Sequence, residues 1–330
     1  MRPASAHRLC SAPMMDWSDR HCRYFFRLLA PHARLYTEMV GTGALLHGDR
    51  ARHLDFDPTE PPLALQLGGS ETEELARCAE LAARWRYDEI NLNVGCPSER
   101  VQKGAFGACL MAEPRLVADC VRALRDGSGL EVSVKHRTGI DRVESYEFLR
   151  DFVGSVAEAG CSVFIVHARN AWLKGLSPKE NRELPPLRYD LVRRLKREFP
   201  ALTIVINGGL VDLAGIEDQL EHVDGVMLGR AAYHDSWLLA QADAHLFGAA
   251  VPARSRREVA LEMRTYAERQ RARGVALRQI ARHMLGLYHG MPHARLWRRL
   301  LSDPARLAAN DPALIDEAVE RVEDRFVDAA

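Results

Sequence analysis

Lysine is almost missing from this chain. Only five of its 330 residues are lysine, although lysine and arginine together number 45 and balance 45 aspartates and glutamates. That balance removes any argument for a partner from net charge. No apolar run approaches the length of a membrane span, so no membrane partner is expected. Residues 1–20 lack the apolar stretch of a signal peptide, so no secretory leader is expected either. The seven cysteines, at positions 10, 22, 78, 96, 109, 120 and 161, are an odd number with no Cys-x-x-Cys pair. That pattern argues against a zinc site or a disulfide framework and for a reducing, cytoplasmic setting without a bound metal. A doubly wound nucleotide-binding sheet would want Gly-x-Gly-x-x-Gly after its first strand, and Ala12-Pro13-Met14-Met15 stands there instead.

What is present is a regular alternation. Strand-like runs lie at 8–12, 35–38, 63–67, 89–94, 131–135, 163–167, 203–207 and 225–228, with amphipathic helical stretches at 72–84, 114–125, 146–159, 189–199 and 213–221. Ser70, Glu113-Pro114 and Asp212 supply helix-start signals. Eight such βα units in fewer than 250 residues imply an α/β fold, a (β/α)8 TIM barrel. After about residue 250 the pattern becomes helical throughout, as at 259–273 and 275–287. Residues 252–302 hold twelve arginines and three glutamates, a local net charge of +9. The expected division is a barrel over 1–250 and a helical domain over 251–330.

In a barrel, chemistry sits where the strands end. Cys96 stands in Asn91-Leu92-Asn93-Val94-Gly95-Cys96-Pro97, just past an alternating strand and between two strand-stopping residues. A thiol there can give a proton, attack a substrate or bind a metal. Asn207-Gly208-Gly209 and Gly229-Arg230 follow the last two strands, where barrels often hold a phosphate on backbone N–H groups. Tight turns alone would use such glycines, but both motifs after these strands favour the anion. Lys135 ends the apolar run Val132-Ser133-Val134, and a lysine there calls for an anionic ligand. His167 ends another apolar run, and Gln66 carries donor and acceptor groups suited to a heteroaromatic edge. Together these suit a phosphate-tailed, electron-rich cofactor such as FMN, with Lys135 stabilising charge on its reduced ring and Cys96 as a proton donor opposite it.

These motifs resemble those of the tRNA-dihydrouridine synthases, and within them the bacterial DusA subgroup. The match runs through Ala12–Arg23, Leu35–Met39, Ala64–Gly69, Asn91–Pro97, His167-Ala168-Arg169, Gly175–Arg182, Ile206–Gly209 and Gly229-Arg230 to Arg282–Leu287, Ala294-Arg295 and Trp297–Arg299. The resemblance covers nearly the whole chain. It implies an FMN barrel followed by a tRNA-binding helical domain, NADPH as reductant, and reduction of uridines 20 and 20a of the tRNA D-loop. Hydride would reach C6 of the base, and Cys96 would protonate C5. Pro13, Met14 and Met15 would line the flavin. Gln66, Lys135 and His167 would meet its ring or ribityl chain. Asn207, Gly208, Gly209, Gly229 and Arg230 would hold the ribityl and phosphate groups. Asn93 would touch the target nucleotide, and Lys179, Arg182, Arg295 and Arg298 would contact tRNA. His136 departs from the uncharged residue that relatives often carry, but it should point away from Lys135.

The arginine-rich region supports a nucleic-acid partner on its own, because glutamate is too scarce there to balance it. A stacked base must leave its helix to reach a barrel pocket, which requires contacts to the RNA as a whole. The competing readings are a small-molecule flavin oxidoreductase of the dihydroorotate dehydrogenase or old yellow enzyme type, and an RNA-binding protein on a catalytically retired barrel. The chain is expected to act as a monomer.

Overall fold

The computed structural model describes residues 6–327. Among them, nine strands run parallel in one sheet: β1 (Leu9–Ser11), β2 (Leu35–Tyr36), β3 (Val40–Gly41), β4 (Leu63–Gly68), β5 (Glu89–Val94), β6 (Glu131–His136), β7 (Val163–His167), β8 (Thr203–Asn207) and β9 (Gly225–Leu228). Their order is β1-β9-β8-β7-β6-β5-β4-β2, with β3 also on β4. The ring closes where Ser11 N–H donates to the Arg34 carbonyl at 2.9 Å and Arg34 N–H to that of Leu9 at 2.9 Å. β2 and β3 are two pieces of one barrel strand. Tyr36 faces Ala64 but Val40 faces Leu67, so residues 37–39 carry one extra residue, a bulge at the strand's C-terminal end. Eight barrel strands alternate with helices, as the periodicity predicts.

Helices Thr72–Arg84, Pro114–Ser128, Tyr146–Glu158, Tyr189–Glu198 and Leu213–Leu220 lie where amphipathic stretches were expected. Asp212 caps the last by accepting from Gly215 N–H at 2.8 Å, and Pro114 opens the second. Ser70 does not cap the first, where Glu71 holds the N-cap position without a side-chain bond. Helix Arg20–Leu29 gave no clear sequence signal because its buried face contains arginines. Arg23 pairs with Glu60 at 2.6 Å, and Arg27 donates to the Glu60, Ala30, Pro31 and Pro62 carbonyls.

Beyond residue 255 the chain is helical: Arg256–Arg271, Leu277–Ala281, Ala294–Ser302, Pro304–Ala308 and Ala313–Val327. The long helix expected over 275–287 breaks after Ala281. Gly286 lies so close to the Tyr233 and His234 carbonyls that a Cβ would come within 2.7 Å of each, and the segment turns to follow the barrel rim. These helices share one hydrophobic core with the barrel. Tyr266 stacks on Tyr24 at 4.0 Å and bonds His21 at 2.8 Å, while Asp19 accepts from Arg282 at 2.8 Å and His283 at 3.1 Å.

Alternation along the strands splits each into two faces. Ile90, Leu92, Val94, Val134, Phe164, Val166, Ile204 and Ile206 face outward under the helices. The barrel interior is half apolar, built from Cys10, Ala12, Tyr36, Ala64, Ile165, Val205 and Met227. Its other half is polar. Glu89 is fully buried near the floor and accepts from His7 at 2.8 Å, Arg34 at 2.9 Å, Tyr36 at 3.0 Å and the Ser133 hydroxyl. Burial would raise its carboxyl pKa, but His7, Arg34 and Ser133 outweigh burial and hold it below the usual range. His7, Glu89 and Glu131 form the one cluster close enough for a cation among the described residues, and the Arg34 guanidinium supplies its positive charge.

Arg34→Met leaves this carboxylate with His7, Tyr36 and Ser133 as its donors among the described residues. We expect the variant to lose about 3 kcal/mol or more of unfolding free energy at pH 7 by urea denaturation. Glu89 is held below its unfolded value, so its stabilisation is present above about pH 4.3 and fades below it. A loss under about 1 kcal/mol would show that the pair contributes no more than a surface ion pair.

Candidate active site

Inward-facing positions at the upper ends of most strands open into one cleft of about 640 Å³. Register decides which groups meet: Asn93 lies beside Lys135, and His167 beside Asn207. Pro13, Met14, Met15, Gln66, Asn93, Cys96, Lys135, His167, Arg182, Asn207, Gly208, Gly209, Gly229 and Arg230 all line this cleft. Lys179, Arg295 and Arg298 lie outside it.

The cysteine loop is held from below. Asn93 Oδ1 accepts from Gly95 N–H at 3.2 Å and Cys96 N–H at 3.0 Å, which folds the chain into a tight turn. From the other side, Ala108 N–H donates to the Cys96 carbonyl at 2.9 Å. Gly107, with φ +80°, makes that approach possible, since a Cβ there would lie 2.5 Å from the same carbonyl. Asn93 Nδ2 donates to Gln66 Oε1 at 3.0 Å, Gln66 Nε2 to Asn91 Oδ1 at 2.7 Å, and Asn91 Nδ2 to Ser133 Oγ at 2.7 Å. Ser133 then donates to Glu89. Asn93 therefore spends most of its amide on the loop and on Gln66. One Nδ2 hydrogen remains to face the cleft.

Around this loop the cleft is cationic. Lys135 Nζ donates to Asn207 Oδ1 at 3.1 Å and has no carboxylate beside it among the described residues. Burial, reinforced by Arg137, pulls its pKa down from 10.5 to about 7. Burial first, then Arg137 and Lys135, holds His167 well below its ordinary value, so its imidazole is neutral at pH 7. Arg137 follows the end of the Lys135 strand, and the sequence alone assigns it no role. It is buried, and it donates to the carbonyls of Gly95 at 3.1 Å and Asn181 at 2.9 Å. The signal was available: alternation places Arg137 two residues after Lys135 on the same face. His136 between them points outward and packs on Phe152 and Phe164, as expected.

The floor beyond Lys135 turns on Gly208 and Gly209, at φ +107° and +73°. A Cβ on Gly208 would stand 2.7 Å from His167, and one on Gly209 would stand 2.5 Å from Leu187. Arg230 reaches the same rim, paired with Glu183 and donating to the Arg182 carbonyl at 3.3 Å. An anion entering here meets backbone N–H groups and a guanidinium together.

A second open cavity, about 660 Å³, lies against helix Ala294–Ser302 and is lined by Arg295, Arg298 and Arg299. His289 lines both cavities. The +9 seen in the sequence is partly neutralised by the fold: Arg257, Arg264, Arg269, Arg271 and Arg282 pair with Glu323, Asp316, Asp57, Asp311 and Asp19. Arg254, Arg256, Arg273 and Arg278 have no carboxylate at ion-pair distance among the described residues, and neither do Arg295, Arg298 and Arg299, which gather around this one cavity. Lys179 is exposed on the loop over the rim, three residues before Arg182.

A profile of the dihydrouridine synthases matches residues 10–325. A tRNA-dihydrouridine(20/20a) synthase of Pseudomonas syringae pv. tomato is 57% identical over 322 residues, covering 98% of this chain and 96% of that one. Proteins of the same name from Xanthomonas campestris pv. campestris and Salmonella typhimurium are each 53% identical, covering 98% and 97% of this chain and 96% of each relative. Among solved structures, a 2-naphthoyl-CoA reductase in complex with 2-naphthoyl-CoA shares the fold, with a TM-score of 0.55 at 10% identity over 73% of this chain and 50% of that one. With the profile spanning the barrel, the cysteine loop and the C-terminal helices alike, the chain belongs to the dihydrouridine synthase family.

Proposed function

We propose that this protein reduces uridine to 5,6-dihydrouridine at positions 20 and 20a of the tRNA D-loop, with FMN in the cleft and NADPH as the reductant. The observation that carries the reading is a thiol on a rigid loop at the mouth of a cation-lined barrel. The names and near-complete coverage of the relatives support the substrate.

The residues present fit the flavin. The cleft lies within the roughly 300–1,000 Å³ typical of ligand sites. The Lys135 ammonium has only an amide oxygen for company, and the Gly208–Gly209 turn admits no side chain. Gln66, Lys135 and His167 would hold the ring and ribityl chain against Pro13, Met14 and Met15. Asn207, Gly208, Gly209, Gly229 and Arg230 would hold the rest down to the phosphate. When bound and reduced, FMN supplies the hydride for C6 of the uracil.

The chain's own groups do the remainder. Cys96 holds the proton destined for C5, on a loop that Asn93 and Gly107 keep still. The free Nδ2 hydrogen of Asn93 and the Arg137 guanidinium offer donors to a base carbonyl at the same level. His167, being neutral, donates or accepts without adding charge. Arg182 and Lys179 at the rim, and Arg295 and Arg298 in the adjoining cavity, take phosphates of the folded RNA while the target base leaves its stack. A small-molecule substrate would have no use for that second cavity, which favours tRNA over the other flavin-barrel reading.

Cys96→Ala should bind tRNA and accept electrons from NADPH as the parent does, yet form dihydrouridine at least about a hundredfold more slowly. Product at the parent's rate would remove the thiol from the mechanism. Lys135 loses its proton near pH 7 in the flavin-free protein, and an anionic ligand restores it. FMN affinity should therefore fall with rising pH above about 7, by up to about tenfold per unit, and Lys135→Met should flatten that slope. Fluorescence titration from pH 6.5 to 9 checks this, and an unchanged slope in the variant would contradict it. Arg295→Ala with Arg298→Ala should weaken tRNA binding and lower the magnitude of the log K against log salt slope by roughly one to two. Identical slopes by filter binding would mean that these arginines touch no phosphate.

A further inference from the structure

The Cys96 thiol has a partner two residues downstream. Sγ lies 3.5 Å from Ser98 Oγ, within the range of a sulfur hydrogen bond, and Ser98 is its one hydrogen-bond partner among the described side chains. Ser98 stands at the N-cap of the helical turn Glu99–Lys103, with extended φ −69° and ψ 144°. A serine there ordinarily turns its hydroxyl onto the backbone N–H two or three residues on. This one makes no capping bond. Its hydroxyl is aimed at the thiol instead, and buried Pro97 between the two residues limits how far they can part.

We propose that Ser98 is a positioning residue for the proton donor: it fixes the thiol's rotamer before reaction and hydrogen-bonds the thiolate as the proton leaves. In the resting loop the S–H donates to Ser98 Oγ, which orients the sulfur. As the S–H bond breaks and the C5–H bond forms, negative charge builds on sulfur. The Ser98 hydroxyl then rotates to donate its hydrogen to that charge without giving up its own O–H bond. Such a charge-assisted bond is worth more to the thiolate than to the thiol, so it lowers the barrier to proton donation. Lys135, Arg137 and Arg182 add positive potential around the same sulfur. The serine differs from them in contact and direction, because it touches the atom that changes charge.

This inference rests on the proposed uridine-reducing function, and the test separates the two. Flavin-loaded parent, Ser98→Ala and Ser98→Thr proteins are reduced with NADPH in the absence of oxygen, then mixed with tRNA lacking dihydrouridine, and return of the flavin absorbance is timed. Failure of the parent to be re-oxidised by tRNA would sink the functional reading itself. With an active parent, Ser98→Ala should be re-oxidised about tenfold more slowly, the equivalent of one lost hydrogen bond to a developing charge. Reduction by NADPH and tRNA affinity should stay at the parent's values, and Ser98→Thr should restore most of the rate. A second readout needs no turnover. Iodoacetamide labelling of Cys96 in flavin-free protein at pH 7.5, followed by peptide mass spectrometry, should slow about threefold in Ser98→Ala. Without the serine hydroxyl, the sulfur loses the group that orients it and donates to its charge. Re-oxidation of Ser98→Ala at the parent's rate would overturn the proposal, as would a Ser98→Thr protein as slow as Ser98→Ala, which would assign the loss to loop packing alone.

Discussion

A fully buried carboxylate anchors the interior of this barrel. Glu89 cannot stay charged there without donors, and the fold gives it four: His7, Arg34, Tyr36 and Ser133. From Ser133 the bonds climb in one direction. Asn91 donates to Ser133, Gln66 to Asn91 and Asn93 to Gln66, while Gly95 and Cys96 donate their N–H groups to Asn93. Each donor points toward the carboxylate, so each bond polarises the next, and every amide in the column has only one orientation that satisfies its neighbours. The reactive loop is the top rung of this column. Its position follows from the strands rather than from loop contacts alone.

The opposite condition holds above the column. Lys135 and Arg137 enter the cleft with amide and carbonyl partners but no carboxylate among the described residues. Two buried cations elsewhere are neutralised in contact, Arg23 by Glu60 and Arg34 by Glu89, while Arg27 is held by carbonyls alone. In the cleft Lys135 and Arg137 line open space, and on the surface Arg295, Arg298 and Arg299 line the adjoining cavity without a carboxylate at ion-pair distance among the described residues. Both places favour an anion. Under the proposed function, a flavin phosphate and reduced ring inside and RNA phosphates outside would supply that charge.

Much of this was legible in the sequence for a simple reason. Polar residues at the ends of apolar runs, repeated around eight strands, can only converge at one rim once the barrel closes. Gln66, Lys135, His167 and Asn207 did so. Other features depended on tertiary partners and were hidden. Arg137 was masked by its neighbour Lys135, although strand alternation gives both the same face. Helix Arg20–Leu29 buries arginines and so lacks a clean apolar stripe. The bulge at 37–39 arises from a one-residue mismatch with β4 that only pairing reveals. The C-terminal charge reads as one excess in the sequence, but barrel and tail carboxylates pair with five of its arginines, and three of the unpaired ones gather around one cavity. Asn93 was expected to face the nucleotide, and its side chain is mostly engaged in holding the thiol loop.

Under the proposed function, the thiol loop, the cation-lined cleft and the outer basic cavity form one site for a tRNA uridine. The direct test is to incubate tRNA lacking dihydrouridine with the purified protein, FMN and NADPH, and to map dihydrouridine by mass spectrometry of nuclease fragments. A mass gain of two hydrogens should appear at positions 20 and 20a and at no other uridine. Dihydrouridine only at other positions, or unmodified tRNA from protein that holds reduced flavin, would contradict that function.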